Sequence, residues 1–100
     1  MNKPFISYYK NAQKRSEAYI LNGKLHRTDG PAYISWHENG HKWAEVYHLN
    51  GQFHRTDGPA YISWYPNGQR HSEQYRLNGE KIKVSSDLEF KKIVKLMPFK

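Results

Sequence analysis

The sequence predicts a mainly β fold: a three-repeat antiparallel β-hairpin meander in an elongated sheet, closed by a short C-terminal capping α-helix. Three observations carry this expectation. The segment HRTDGPAYISW occurs at 26–36 and again without change at 54–64, which sets a period of 28 residues, and self-similarity at such a period marks a repeat array. Asn-Gly recurs at 22–23, 39–40, 50–51, 67–68 and 78–79, the strongest short-range hairpin signal because both residues tolerate positive φ. After Gly79 the apolar pattern changes from period two to period 3.6, the change from strand to amphipathic helix.

The register holds in three copies. Glu17, Glu45 and Glu73 stand one period apart, as do Tyr19, Tyr47 and Tyr75, and Leu-Asn-Gly closes each unit at 21–23, 49–51 and 77–79. The opening residues fit as well: Phe5-Ile6-Ser7-Tyr8 aligns with Tyr33-Ile34-Ser35-Trp36, and Asn11-Ala12 with Asn39-Gly40. One domain, 1–100, therefore divides into repeats at about 3–30, 31–58 and 59–84, the first truncated at its start and the last diverging after Gly79.

Within a unit, Ala-Tyr-Ile-Ser-Trp is β-branched and aromatic and predicts the first strand. The second strand alternates: Trp43, Glu45, Tyr47 and Leu49 share one face, whereas Ala44, Val46 and His48 on the other are replaced by Ser72, Gln74 and Arg76 one period on. The Glu-Tyr-Leu face is the expected packed side. The next Asn-Gly reverses the chain into Leu25-His26-Arg27 or Phe53-His54-Arg55, and Thr-Asp-Gly-Pro turns it again. Asp29 and Asp57 suit side-chain bonding to the turn backbone beside Gly30 and Gly58, while Pro31 and Pro59 fit only a strand start or an edge. Strands joined in this order form an antiparallel sheet.

A helix is expected over about 86–97. Ser86 and Glu89 make a capping box, Phe90, Ile93, Val94 and Met97 form an apolar stripe, Lys91, Lys92 and Lys95 take the other side, and Pro98 stops it. Because a repeat array needs a different terminal unit to cover its last open edge, its simplest role is a C-terminal cap over the final hairpin. A basic amphipathic helix that meets a partner or a membrane surface is the other reading, although about eleven residues is short for membrane attachment.

Composition bounds the function. Hydrophobic residues make up 37% of the 100, and 15% are aromatic, so rings must supply most of the apolar area. No Cys is present, which excludes disulfides, thiolate zinc sites, iron–sulfur clusters and a cysteine nucleophile. No apolar run approaches the roughly 18 residues of a membrane span, and residues 1–13 lack the apolar stretch of a signal peptide. A soluble, cytoplasmic protein is expected.

Candidate chemistry is sparse. His26 and His54 would lie at least two strand spacings apart, about 9.5 Å, too far to share one ion at ligand distances of about 2 Å. Within a unit, His26 with Asp29 and His54 with Asp57 are more simply turn residues, so no metal and no cofactor is expected. Glu17, Glu45 and Glu73 on the packed face need cationic partners, for which Arg27 and Arg55 are the natural candidates. Three near-equivalent rungs offer no single asymmetric site for general acid–base work, and Ser7, Ser35 and Ser63 lack nucleophile-elbow glycines. No catalytic residues are assigned.

Formal net charge is +7 with a pI near 9.7, which raises nucleic-acid binding, with rings for stacking. The charge, however, sits at the ends: residues 1–16 carry +4, 81–100 carry +4 and 17–80 carry −1. A phosphate-tracking array would place it in the repeats. Lys10, Lys14, Arg15, Lys91, Lys92 and Lys95 are the candidate polyanion contacts. The recurring exposed rings, Tyr33, Tyr61 and Trp43 with His48, are the candidate protein-binding residues, since aromatic side chains dominate interfaces. Slipping one strand by one residue would exchange core and interface rows.

The aromatic strand, the Asn-Gly turns and the motifs LNGKLHRTDGPAYISW and LNGQFHRTDGPAYISW resemble MORN-type repeats, in the variant found in bacteriophage and large-virus proteins. The resemblance covers about 5–90 and implies hairpin sheets and binding roles without shared catalytic residues. Ordinary MORN units run near 23 residues with more glycines, so their lipid contacts do not carry over. The expectation is a non-catalytic module that binds another macromolecule, foremost a protein, in the setting of a viral accessory protein engaging a host factor. Nucleic-acid binding through the basic ends is the alternative, and an antitoxin-like neutralising protein the second. An edge-mediated homo-oligomer is left open.

Overall fold

The computed structural model describes residues 3–97. Strands β1 (Phe5–Tyr8), β2 (Lys14–Ala18), β3 (Ile20–Leu21), β4 (Lys24–Leu25), β5 (Tyr33–Trp36), β6 (Lys42–Val46), β7 (His48–Leu49), β8 (Gln52–Phe53), β9 (Tyr61–Trp64), β10 (Arg70–Leu77) and β11 (Glu80–Ile82) precede helix α1 (Asp87–Lys95). A seven-stranded sheet runs β1-β2-β5-β6-β9-β10-β11, with β3-β4 and β7-β8 as two-stranded ladders beside it. Every pairing is antiparallel. The expected hairpin meander with a C-terminal helix is the observed architecture, drawn out to 47 × 34 × 17 Å.

The 28-residue period becomes geometry through one interruption per unit. Tyr19 N–H donates to the Ala32 carbonyl at 2.8 Å, while the Tyr19 carbonyl accepts from His26 N–H at 3.0 Å. Strands β4 and β5 are thus two pieces of one path along β2 and β3, from which residues 27–31 are pinched out as a loop. Tyr47 repeats this with Ala60 at 2.7 Å and His54 at 3.0 Å. Each loop is closed by its own arginine. Arg27 Nε donates to Asp29 at 2.9 Å and Nη1 to the Pro31 carbonyl at 3.2 Å, with the guanidinium 3.9 Å from the Tyr19 ring centre. Arg55 does the same with Asp57, Pro59 and Tyr47, at 2.8, 3.1 and 4.0 Å.

Those contacts correct the expected pairing of Glu45 with Arg55. Glu17, Glu45 and Glu73 pair instead with Lys14, Lys42 and Arg70, three residues earlier on their own strands. Residues three apart on a regular strand face opposite sides. Here the register shifts between Ser7 and Tyr8, between Ser35 and Trp36, and between Arg70 and Ser72, so each second strand carries one extra residue, and that bulge brings cation and carboxylate to one side. Gly30 and Gly58 have a different task from supplying left-handed backbone: a Cβ on either would lie 3.1 Å from the guanidinium carbon of Arg27 or Arg55.

The Asn-Gly dipeptides make two kinds of turn. Asn22, Asn50 and Asn78 have φ of 52, 52 and 50°, each followed by a left-handed glycine, the two-residue hairpin that needs positive φ twice. At 39–40 and 67–68 only the glycine is left-handed. Asn39 and Asn67 instead accept, through Oδ1, the N–H of His41 and Gln69 at 3.0 and 2.9 Å. In the first repeat Ala12 occupies that glycine's place at φ 72°, a conformation that costs an L-residue about 1–2 kcal/mol. Ala12→Gly is expected to stabilise the protein by about 1 kcal/mol, read as a higher urea midpoint at unchanged slope; an unmoved midpoint would show that this turn is not under strain.

Helix α1 has the Ser86 N-cap that the sequence predicts, with Glu89 reaching one residue beyond the expected capping box. Ser86 Oγ accepts from Glu89 N–H at 3.2 Å, and Ser85 N–H donates to Glu89 Oε1 at 2.7 Å. Pro98 lies outside the described residues. Phe90 and Val94 pack on Tyr75 and Leu77, joined by Ile82, Val84 and Met97. Tyr75, Leu77 and Ile82 share one side of the β10–β11 hairpin, since Tyr75 is paired with Ile82. The helix therefore caps the terminal hairpin as expected, and does so over its face rather than along its edge. The period explains why: Pro31 and Pro59 of the first two loops correspond to Asp87 in the third unit. The helix replaces the loop, and the Tyr75 hydroxyl donates to Asp87 where Tyr19 and Tyr47 carry an arginine.

Candidate functional site

The sheet registers place side chains in cross-strand rows. Ile6, Glu17, Ile34, Glu45, Ile62 and Glu73 form one row on one face, while Ser7, Ser16, Ser35, Ala44, Ser63 and Ser72 form a row on the other. Phe5, Ala18, Tyr33, Val46, Tyr61 and Gln74 share the serine face. Both faces contribute buried residues, Glu17 and Ile62 on one, Ala44 and Ser63 on the other. The expected segregation of packing onto the glutamate face is thereby corrected. In a single layer the small residues of the serine row are covered by the larger side chains beside them, without a second sheet.

On the glutamate face the long cationic side chains lie across rings. Lys14 Nζ is 5.7 Å from the Trp36 ring centre and Lys42 Nζ 5.9 Å from that of Trp64. The same lysines hold Glu17 and Glu45, and the Lys14 ammonium is held above its ordinary pKa chiefly by its hydrogen bond to Glu17. Lys14 is thus committed within the sheet, and Arg15 lies 5.9 Å from the Tyr9 ring centre. Lys10, Lys91, Lys92 and Lys95 are exposed, but the first hairpin and the helix sit at opposite ends of a seven-stranded sheet, about 29 Å apart at the usual strand spacing. The structure does not bring the candidate polyanion contacts into one patch.

The serine face is different. The bulge residues Arg15, Trp43 and His71 stand one period apart, and each meets a planar group six residues earlier. Trp43 stacks on His37 with centroids 4.7 Å apart and planes at 12°, His71 meets Tyr65 edge-on at 4.6 Å, and Arg15 lies over Tyr9. Trp43 is 51% exposed and Tyr65 48%. The bulge takes Trp43 out of the alternation that the sequence suggested for it with Glu45 and Tyr47. Tyr33 and Tyr61 are half-buried on either side of Val46. Three of the four candidate binding residues therefore gather on one face, and sequence reasoning missed Tyr9, His37, Tyr65 and His71, although the 28-residue register already aligned them.

His48 is the exception. Its ring packs edge-on to Phe53 at 4.5 Å, and both ring nitrogens are buried without a hydrogen-bond partner among the described residues, so it offers a partner no polar group. Burial lowers its pKa. His54 is lowered too, by burial, and its Nδ1 accepts from Asn78 N–H at 2.9 Å, as His26 Nδ1 does from Asn50. These histidines stitch successive hairpins together, and among the described residues neither hydrogen-bonds Asp29 or Asp57. For a base whose folded pKa lies below its unfolded value, the unfolded state binds the proton first. The stabilisation is then fully present above the ordinary value near 6.5 and is lost as pH falls from there through the lower folded value. Urea midpoints are expected to drop between pH 7.5 and 5.5, and His48→Leu to shrink that drop; a flat profile would contradict both histidine environments.

Between the two arginine loops runs an open groove of about 560 Å³, lined by Arg27, Asp29, Tyr47, His54, Arg55 and Asp57 among others. Its guanidiniums are held by their own aspartates and tyrosines, and burial raises the Tyr47 pKa against the opposing effect of Arg55. Among the described residues no group of three or more His, Asp or Glu is placed to hold a metal ion, and no helix is long and apolar enough to cross a membrane. No family model, curated protein or solved structure matches the chain.

Proposed function

We propose that this chain is a non-catalytic binding module that holds a protein partner on its serine face, with Trp43 and, on either side of Val46, Tyr33 and Tyr61 as anchors. The observation that carries the reading is the row of planar pairs at the bulges, with Trp43 and Tyr65 about half exposed. Paired rings lose little conformational freedom on binding, and rigid aromatic surface of this kind supplies most interface hot spots. A MORN-like identity and a viral accessory role against a host factor belong to the same proposal, on the resemblance alone.

The test is affinity capture of the tagged chain from its native host, followed by titration of the captured protein. Trp43→Ala is expected to weaken binding by about 30-fold or more, the loss that truncating an anchor worth about 2 kcal/mol produces, with little dependence on salt. Steep loss of binding with rising salt, sensitivity to charge reversal at Lys91, Lys92 and Lys95, and indifference to Trp43→Ala would instead establish the nucleic-acid alternative.

A further inference from the structure

The two open edges of the sheet are complementary copies of its internal joints. At each internal joint the Tyr-Ile-Ser-Trp strand of one unit pairs with the second strand of the unit before it. Glu17 lies opposite Ile34 and Ser16 opposite Ser35 at the first; Glu45 lies opposite Ile62 and Ala44 opposite Ser63 at the second. Strand β1 repeats that pattern as Phe5-Ile6-Ser7-Tyr8, but among the described residues pairs only with β2. At the far end, β11 pairs with Tyr75, Arg76 and Leu77 of β10, so among the described residues the outer side of Ser72, Glu73 and Gln74 carries no strand. A groove of about 230 Å³ lined by Glu73, Gln74, Tyr75 and 81–84 runs along that side.

We propose that β1 of a second copy adds to this side of β10, joining molecules head to tail in the register of the internal joints. Ile6 of the second copy then lies opposite Glu73, Ser7 opposite Ser72 and Phe5 opposite Gln74. Continuity with the two joints already inside the molecule argues for this occupant over any other strand. Three further observations support it. Phe5 and Tyr8 are 68% and 56% exposed on a strand without a charged residue, the kind of edge that natural sheets otherwise guard with charge or proline. Pro4 does not guard it: the corresponding Ala32 donates its N–H inward, to Val46, and offers only its carbonyl outward, to Tyr19. Finally, the donors that span internal joints lack those partners at the end. The Tyr9 hydroxyl donates to the Trp36 carbonyl and Asn39 Nδ2 to the Pro66 carbonyl, whereas Tyr65, the counterpart of Tyr9, is 48% exposed and among the described residues Asn67 Nδ2 reaches only Gln69.

A heterologous joint of this kind does not close on itself and extends as an open array. Both joining ends are basic, each stretch carrying +4, so their repulsion opposes assembly and salt must relieve it. Because the chain has no Cys, engineered thiols report the register directly: the expected partners sit at directly opposed strand positions, within disulfide reach, and Ser7 and Ser72 lie at opposite ends of one molecule's sheet. Ser7→Cys and Ser72→Cys are made as separate variants of the full chain, checked for native circular dichroism, mixed and oxidised. The mixed disulfide is expected to exceed either homodimer by about tenfold, and sedimentation of the unmodified protein is expected to show more association at about 300 mM than at about 50 mM salt. Predominance of the Ser7→Cys homodimer would replace the head-to-tail joint by a two-fold β1–β1 joint. A statistical mixture of disulfides, or an unmodified chain that stays monomeric at every concentration and salt tested, would overturn the proposal.

Discussion

Phe90→Ala is expected to lower stability by about 3–5 kcal/mol, the usual cost of deleting a large buried ring. Phe90 is 0% exposed, its ring centre lies 4.8 Å from that of Tyr75, and Leu77, Val94, Ile82, Val84 and Met97 complete the cluster. No other large side chain among the described residues is so fully enclosed. Set against a typical total of about 5–15 kcal/mol, the loss leaves a protein whose helix is undocked or which is largely unfolded. Urea unfolding followed by both far-ultraviolet circular dichroism and tryptophan fluorescence distinguishes these: early loss of helical signal alone means undocking, coincident loss means one cooperative unit. A cost below about 1 kcal/mol would show that the helix contributes little to the fold.

Arg55→Ala is expected to destabilise by about 2–4 kcal/mol, because one side chain serves three partners. Its guanidinium stacks on Tyr47, its Nε donates to Asp57 and its Nη1 to the Pro59 carbonyl. The stacking contributes up to about 2 kcal/mol where water is excluded, and a hydrogen bond from a charged donor about 1.5–3 kcal/mol, whereas the pair with exposed Asp57 adds little. A double-mutant cycle separates the partners. Arg55 with Tyr47 should couple by about 0.5–2 kcal/mol, and Arg55 with Glu45 should not couple measurably, since Glu45 is held by Lys42. Coupling between Arg55 and Glu45 as large as that with Tyr47 would refute the loop-closing role assigned to the arginine.

These two residues also mark how much was legible beforehand. The apolar stripe of Phe90, Ile93 and Val94 and the Ser86 cap could be read directly, because helix periodicity and capping are local and each signal lies within a few residues. The identity of arginine's partner could not. The sequence offered Glu45 as a buried carboxylate and Arg55 as a cation one turn later, and both recur, but recurrence in register says only that two residues occupy equivalent environments, not that they share one. The deciding event is a one-residue bulge that turns Lys42 toward Glu45, and a bulge has no dependable signature in a strand of alternating residues.

The candidate binding face shows the same division. The period of 28, the hairpin order, the antiparallel pairing and the terminal helix were determined by the sequence itself, through repetition, turn chemistry and periodicity that act over short spans of chain. Only the tertiary structure decided which rings share a face. Tyr33 and Tyr61 lie on the serine face by simple alternation, but Trp43 reaches it through the bulge and there stacks on His37, while His48, on the same strand path, is turned against Phe53 with its nitrogens enclosed. The physical reason is that side-chain direction in a strand has a period of two. One inserted residue reverses it without altering composition or repeat length, so the face a ring occupies is fixed by pairing between strands rather than by the order of residues along one.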